Sequence, residues 1–353
     1  LLGLCPNRPA NFFKELAHIY RIDLFFQIRR VVGARSSVRF EKSKEEAQPA
    51  MSAANVKTIT SKGRRRRNNL IAYSFIAPNF IGFAVFTLVP IVMAVGLSFM
   101  KWNGSAIQAP QFVGMGNYVK MLSDGRFKDA LVNTVVYTVA TVPLTMIFSL
   151  LLAVVLNQKI FGRNFFRTMS FFPYVASLVA VATVWNNLFS PVQGPVNQIL
   201  RSIGIANPPG WAVDNNWAMV TLIMFSVWKN MGYYMIMYLA GLQGISPELY
   251  EAASLDGANT IQKFRYVTLP QLGSTNFLVL IMVTIQCFKV YDVVLMITNA
   301  GPGTKTLVLV FHIFNVAFKQ WDLGYASAIS MVLFLMVLIV TIVQFRGEKK
   351  MSD

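Results

Sequence analysis

Long apolar stretches recur along the chain, and they constrain it more than any other feature. An α-helix rises about 1.5 Å per residue, so about 20 residues cross the hydrocarbon core of a bilayer. Six stretches suit that length: residues 70–99, 131–156, 168–189, 217–242, 277–298 and 325–345. The first, second and sixth hold no charged residue. Pro78, Pro90, Pro143 and Pro173 fall inside these stretches. Proline is costly inside a soluble helix, whereas neighbours in a membrane bundle re-satisfy the backbone groups it frees. The 353 residues therefore read as an all-α membrane protein with six transmembrane helices, not as two or three soluble domains.

Composition excludes the main rivals. Only 13% of the residues are charged, against about 25% in an ordinary soluble domain. The net charge of +17 would suit a nucleic-acid binder, but mean hydropathy of +0.50 does not, so no nucleic-acid partner is expected. A disordered chain lacks so much apolar content. Cys5 and Cys287 are far apart, and His18 and His312 are the only histidines, so neither a disulfide framework nor a metal or cofactor site is implied.

The basic residues set an orientation. Lys57, Lys62 and the run Arg64–Arg67 precede the first stretch. Further basic residues follow the second (Lys159, Arg163, Arg167), the fourth (Lys263, Arg265) and the sixth (Arg346, Lys349, Lys350). Fourteen basic residues thus fall on one side and seven on the other, which places both termini in the cytoplasm of a multi-pass cell-membrane protein. Four parts follow: an extension at 1–50, a basic cytoplasmic segment at 51–69, the six-span domain at 70–346 and a cytoplasmic tail at 347–353. The first 50 residues hold no span and no plain signal peptide. They read either as a cytoplasmic tail with an amphipathic helix near 16–32, or as an extension upstream of a start at Met51, and the second reading is favoured.

The connection at 246–270 carries the most information. Ser246 is an N-cap candidate, Pro247 suits the first helical position, and Glu248 falls in the first turn. Gly257 permits the turn that ends this helix, and a second helix follows over 259–267, closed by Pro270. Two short helices make a rigid knob. On physical grounds it either docks into a partner or simply packs beneath the bundle.

The residues Glu251-Ala252-Ala253, Gly257, Val267 and Leu269-Pro270 resemble the EAA loop of ABC importer permeases, whose spacing is E-A-A-x3-G-x9-I-x-L-P. Val267 in place of isoleucine is the single departure. The resemblance extends to the carbohydrate-uptake, maltose-type branch over about residues 70–346. It is carried by Phe112-Val113-Gly114 with Asn117-Tyr118, by Pro191, Gly194 and Asn197, by Leu239–Gln243, by Thr298–Pro302 and by Gly324–Ala328. It implies a type I ABC importer permease fold and a sugar cargo. It also implies three partners: a second, different permease subunit, a cytoplasmic ATPase dimer and an external solute-binding protein. The chain has no G-x-x-x-x-G-K-[ST] phosphate loop, so ATP hydrolysis falls to another subunit and this chain is not an enzyme. The resemblance makes Tyr250, Glu251, Ala252, Ala253, Leu255, Asp256, Gly257, Leu269 and Pro270 the ATPase-coupling residues. Glu251 suits a charge pair across that interface, and Tyr250 and Leu255 suit apolar anchors.

The substrate path has no family motif. Polar residues inside spans usually face the bundle interior. Ser226, Asn230 and Tyr233 share one helical face, and Gln286, Lys289 and Asp292 lie in the fifth stretch, with Trp228 and Phe288 near. For Lys229, Lys289 and Asp292 the plainer reading is structural pairing or snorkelling at the membrane edge. The same machine for a polyol or a glycerol phosphate is the alternative function. A secondary transporter is disfavoured, because Asp292 is the only acidic residue in the six stretches.

Overall fold

The computed structural model describes residues 62–352 apart from Ala106. The helix read near 16–32, the start at Met51 and most of the segment 51–69 lie outside those residues. Helix α1 (Lys62–Phe83) begins with the arginine run and passes through a π turn (Ala84–Leu88) into α2 (Val89–Ser98). Pro90 has no N–H to donate and lies two residues past that turn, a register shift that admits such a gap. Strands β1 (Met100–Lys101) and β2 (Gln111–Phe112) pair antiparallel, Met100 opposite Phe112. Then come α3 (Gly116–Ser123) and the 33-residue α4 (Gly125–Asn157), N-capped by the Asp124 side chain.

Two bent pairs follow. Helices α5 (Arg163–Val175) and α6 (Leu178–Leu188) meet at 100°. After α7 (Pro195–Ser202) and a 3-10 turn (Trp211–Val213), α8 (Ala218–Gln243) runs for 26 residues. Short helices α9 (Pro247–Leu255) and α10 (Thr260–Lys263), a π turn (Phe264–Thr268) and α11 (Leu269–Gln271) lead into α12 (Gly273–Phe288). The segment Thr260–Gln271 is bent 68° from α12. Helices α13 (Asp292–Ile297) and α14 (Leu309–Phe314), the latter extended by a π turn (Asn315–Lys319), precede α15 (Leu323–Ser352).

From Ala72 onward the chain is one unit whose core lies where α4 packs along α8, flanked by α5 and α12. Helix α8 buries Leu222, Phe225, Met235, Tyr238 and Leu242 there. Between helices in lipid the gain comes from close packing rather than from expelling water. Gly232 is the point of nearest approach: a Cβ there would land on the Ser170 carbonyl of α5, so any other residue would force the helices apart.

The apolar stretches divide differently in three dimensions. Among the described residues, Ile71–Ser98, Gly125–Asn157 and Leu323–Glu348 are long and apolar enough to cross a membrane alone, and five spans result if each bent pair counts as one. The stretch at 168–189 is the bent pair α5–α6, broken beyond Pro173. The stretch at 277–298 is interrupted between α12 and α13. The stretch at 217–242 is one helix, α8, whose apolarity Lys229, Asn230 and Tyr233 dilute.

Candidate functional site

The knob at 246–270 is built almost wholly from helix caps. Ser246 is extended, but its side chain makes no capping bond, and Pro247 opens α9. The C-terminus of α9 is a complete Schellman motif: Ala258 N–H donates to the Ala253 carbonyl at 2.9 Å, and Gly257 N–H to that of Ser254 at 3.1 Å. Gly257 takes φ +77°, which glycine adopts without strain. The spacing from Ala253 to Gly257 is therefore the distance from the first of the two capped carbonyls to the left-handed residue. Asn259, two residues after Gly257, starts α10 with a capping box, accepting from Gln262 N–H at 2.9 Å while its own N–H donates to Gln262 Oε1 at 2.7 Å. Lys263 Nζ donates to Ser254 Oγ at 2.7 Å and ties the two helices together.

Glu251, Ala252, Leu255, Asp256, Gly257 and Pro270 are exposed; Ala253 and Leu269 are half-buried. Leu255 is 89% exposed. Tyr250 is not free in this way: its hydroxyl shares a 3.0 Å hydrogen bond with Thr268 Oγ1, which makes it a strut within the knob. Ile261 and Tyr266 are exposed apolar residues of the same knob that sequence reasoning missed. Their signal was an apolar residue in each of the two short helical segments after Gly257.

A cavity of about 630 Å³ opens between α4, α5, α8 and α12. Of the residues singled out from the sequence, Lys229, Asn230, Tyr233, Gln286, Lys289 and Asp292 line it. Ser226 does not. It is fully buried behind the wall, donating to the Leu222 carbonyl and accepting from the Tyr137 hydroxyl at 2.8 Å. Asn230 donates to the Ser226 carbonyl and accepts from Gln286 Nε2 at 2.9 Å, and Gln286 accepts from the Tyr234 hydroxyl at 2.6 Å. Tyr233 stacks on Tyr174 with ring centroids 4.5 Å apart. Trp228 packs against Trp185 and Phe225, and Phe288 is buried in the core, so neither joins the cavity.

Lys229 takes the structural role. Its ammonium donates to the carbonyls of Pro173, Tyr174 and Ala176 at 2.9, 3.4 and 3.3 Å, capping the C-terminus of α5 where the pair bends. Lys289 and Asp292 form no ion pair; they lie on opposite sides of the break between α12 and α13, so helical i, i+3 geometry does not apply. Tyr174, Thr141 and Thr145 also line the cavity and were missed. A hydroxyl stripe at positions 138, 141, 145 and 149, in the uncharged part of α4, was the signal for the threonines.

A third cluster joins α4, α14 and α15. Asp124 Oδ2 accepts from the Tyr325 hydroxyl at 2.7 Å and lies 3.4 Å from His312 Nε2. Lys120 pairs with Asp322 at 2.7 Å and sits 4.2 Å over the Tyr325 ring.

A bundle of long and broken apolar helices, with a polar-walled cavity and a rigidly capped knob after α8, defines an integral membrane permease subunit rather than an enzyme. The sequence signature described as "Binding-protein-dependent transport system inner membrane component" matches residues 112–353, and the chain belongs to that family. It is similar to the lactose transport system permease protein LacF of Rhizobium radiobacter, 36% identical over 298 residues that span 83% of this chain and 99% of LacF. It is also similar to the sn-glycerol-3-phosphate transport system permease protein UgpA of Agrobacterium fabrum, 32% identical over 80% of this chain and 96% of UgpA. Its fold is that of a chain in the crystal structure of a bacterial ABC transporter involved in the import of the acidic polysaccharide alginate, with TM-score 0.71 and 23% identity over 82% of this chain and 99% of that one.

Proposed function

We propose that this permease is one half of the translocation pathway of an ATP-driven, binding-protein-dependent sugar importer. It works with a second permease subunit, a cytoplasmic ATPase dimer and an external binding protein. The observation that carries the reading is the knob. It is stiff, exposed and apolar at Leu255, and it follows the cavity-lining part of α8 by about 14 Å of helix, from Tyr234 to Gln243. ATP-driven closure of the ATPases pushes the knobs, the bent helices shift, and the cavity faces outward; hydrolysis resets it. The sugar cargo is supported by the likeness to LacF.

In this reading the domain covers 70–346 in six spans, the basic segment 51–69 and the tail 347–353 are cytoplasmic, and residues 1–50 are an extension without a transport role. Tyr250, Glu251, Ala252, Ala253, Leu255, Asp256, Gly257, Leu269 and Pro270 form the coupling surface, with Tyr250 acting from inside. Asn230, Tyr233, Gln286 and Lys289 line the path, and Ser226 supports it.

Glu251→Lys tests the coupling. The expected outcome is loss of uptake, and loss of ATPase co-purification, at unchanged membrane insertion. Normal ATP-driven uptake by this variant would overturn the assignment.

A further inference from the structure

The two named relatives differ in one chemical respect: one is a permease for a neutral sugar, the other for an anion. The cavity of this chain bears on that difference. Anion sites converge free Lys or Arg donors on the ligand. Here the wall carries two lysines and one carboxylate. An ammonium has three N–H donors, and Lys229 spends them on three carbonyls of the bent pair. Its charge is further offset by the negative end of α5. That leaves Lys289, and Asp292 lies on the same wall with opposite sign.

What the wall offers in place of charge is neutral and polar. Asn230 and Gln286 each commit one amide N–H, to Ser226 and to Asn230, and each keeps another to donate. The stacked Tyr174 and Tyr233 give apolar ring area with hydroxyl edges. Thr145 is 1% exposed and lines the cavity, and its hydroxyl has no hydrogen-bond partner among the described residues. A buried unpartnered hydroxyl is unfavourable, and a solute hydroxyl is a group that satisfies it.

We infer that this cavity selects an uncharged, hydroxyl-rich solute, a neutral sugar ring or polyol, over its carboxylated or phosphorylated analogue, and that Thr145 contacts the solute. The inference rests on the reading of the cavity as the substrate path.

Matched pairs isolate the charge. The full chain in lipid nanodiscs is titrated by saturation-transfer NMR with lactose against lactobionate, methyl glucoside against methyl glucuronide, and glycerol against glycerol 3-phosphate. The neutral member of each pair binds at least about five-fold more tightly. Thr145→Val weakens neutral binding about five- to ten-fold, the equivalent of one lost hydrogen bond. The same variant melts no lower than the parent, because an isosteric methyl replaces an unsatisfied hydroxyl; a merely structural hydroxyl would not separate the two readouts in this way. Tighter binding of the anionic members overturns the charge rule alone, provided that Thr145→Val and Tyr174→Ala still weaken binding. Binding that neither variant changes overturns the cavity as the path, and with it the inference. Absence of binding by every pair overturns both.

Discussion

Asp124 shows how much one side chain can gather: it caps α4, accepts from Tyr325 and faces His312. Burial pushes the His312 imidazole below its ordinary value of 6.5, while the Asp124 carboxylate pulls the other way without prevailing. For Asp124, burial acts to raise the carboxyl. The Tyr325 hydroxyl, the N–H groups of Phe127 and Arg126, and His312 outweigh it and hold the group below 3.8. The unfolded chain takes up the proton that buried His312 refuses. Stability is therefore full above about pH 6.5 and falls as the pH drops toward the folded value. Asp124 adds a second loss only below about pH 4. The thermal midpoint in nanodiscs is thus expected to decline from pH 7 to pH 5, and His312→Gln to flatten that slope while leaving the loss below pH 4. A midpoint constant from pH 7 to pH 5 in the parent chain would refute this. None of it was legible in the sequence, because His312 and Asp124 lie 188 positions apart and neither sits in a motif. The bond that holds Tyr250 inside the knob was hidden for the same reason: its partner Thr268 is 18 residues on, and a hydroxyl pair has no sequence signature.

Helix ends divide what the sequence could tell from what it could not. The termination of α9 was legible, because a Schellman motif is local and needs its glycine at a fixed offset. Gly257→Ala places a Cβ in the left-handed region at a cost of about 1 kcal/mol. Amide exchange at Gly257 and Ala258 should then quicken about five-fold, the population change that such a cost implies. Unchanged protection there, read by hydrogen–deuterium exchange, would show that the glycine is not what holds the turn. The bend between α5 and α6 was not legible as a bend. Pro173 marked a weak point, but the freed carbonyls are capped by Lys229 from α8, which lies 53 to 56 residues away. A long-range cap of this kind leaves only an isolated lysine in an apolar run.

At the scale of the molecule, apolar length marked the membrane helices but not the breaks within them. A count of stretches treats each as a straight rod, whereas the one at 168–189 is bent by 100° and the one at 277–298 is interrupted between α12 and α13. The orientation rests on charge alone, so it calls for a direct check. A green fluorescent protein fused after Asp353 should fluoresce, and alkaline phosphatase fused there should be inactive, since both report a cytoplasmic end. Active phosphatase would invert the topology. The apolar flank of α1 and α2 is left bare over much of its length, including Phe75, Phe86 and Val92, as suits a helix with lipid or a second subunit beside it.

The knob's construction has a mechanical consequence. One helix is closed by a Schellman motif, the next is opened by a capping box, and only Gly257 and Ala258 separate the α9 C-cap from Asn259, with Lys263 bolting the pair across. Such a part has little compliance, so under the proposed coupling a stroke delivered at Leu255 would pass through the knob without being absorbed there. On that proposal, loss of stroke would arise at the surface where force enters, and substitutions that let ATP be spent without transport should cluster on the exposed face of α9 rather than inside it.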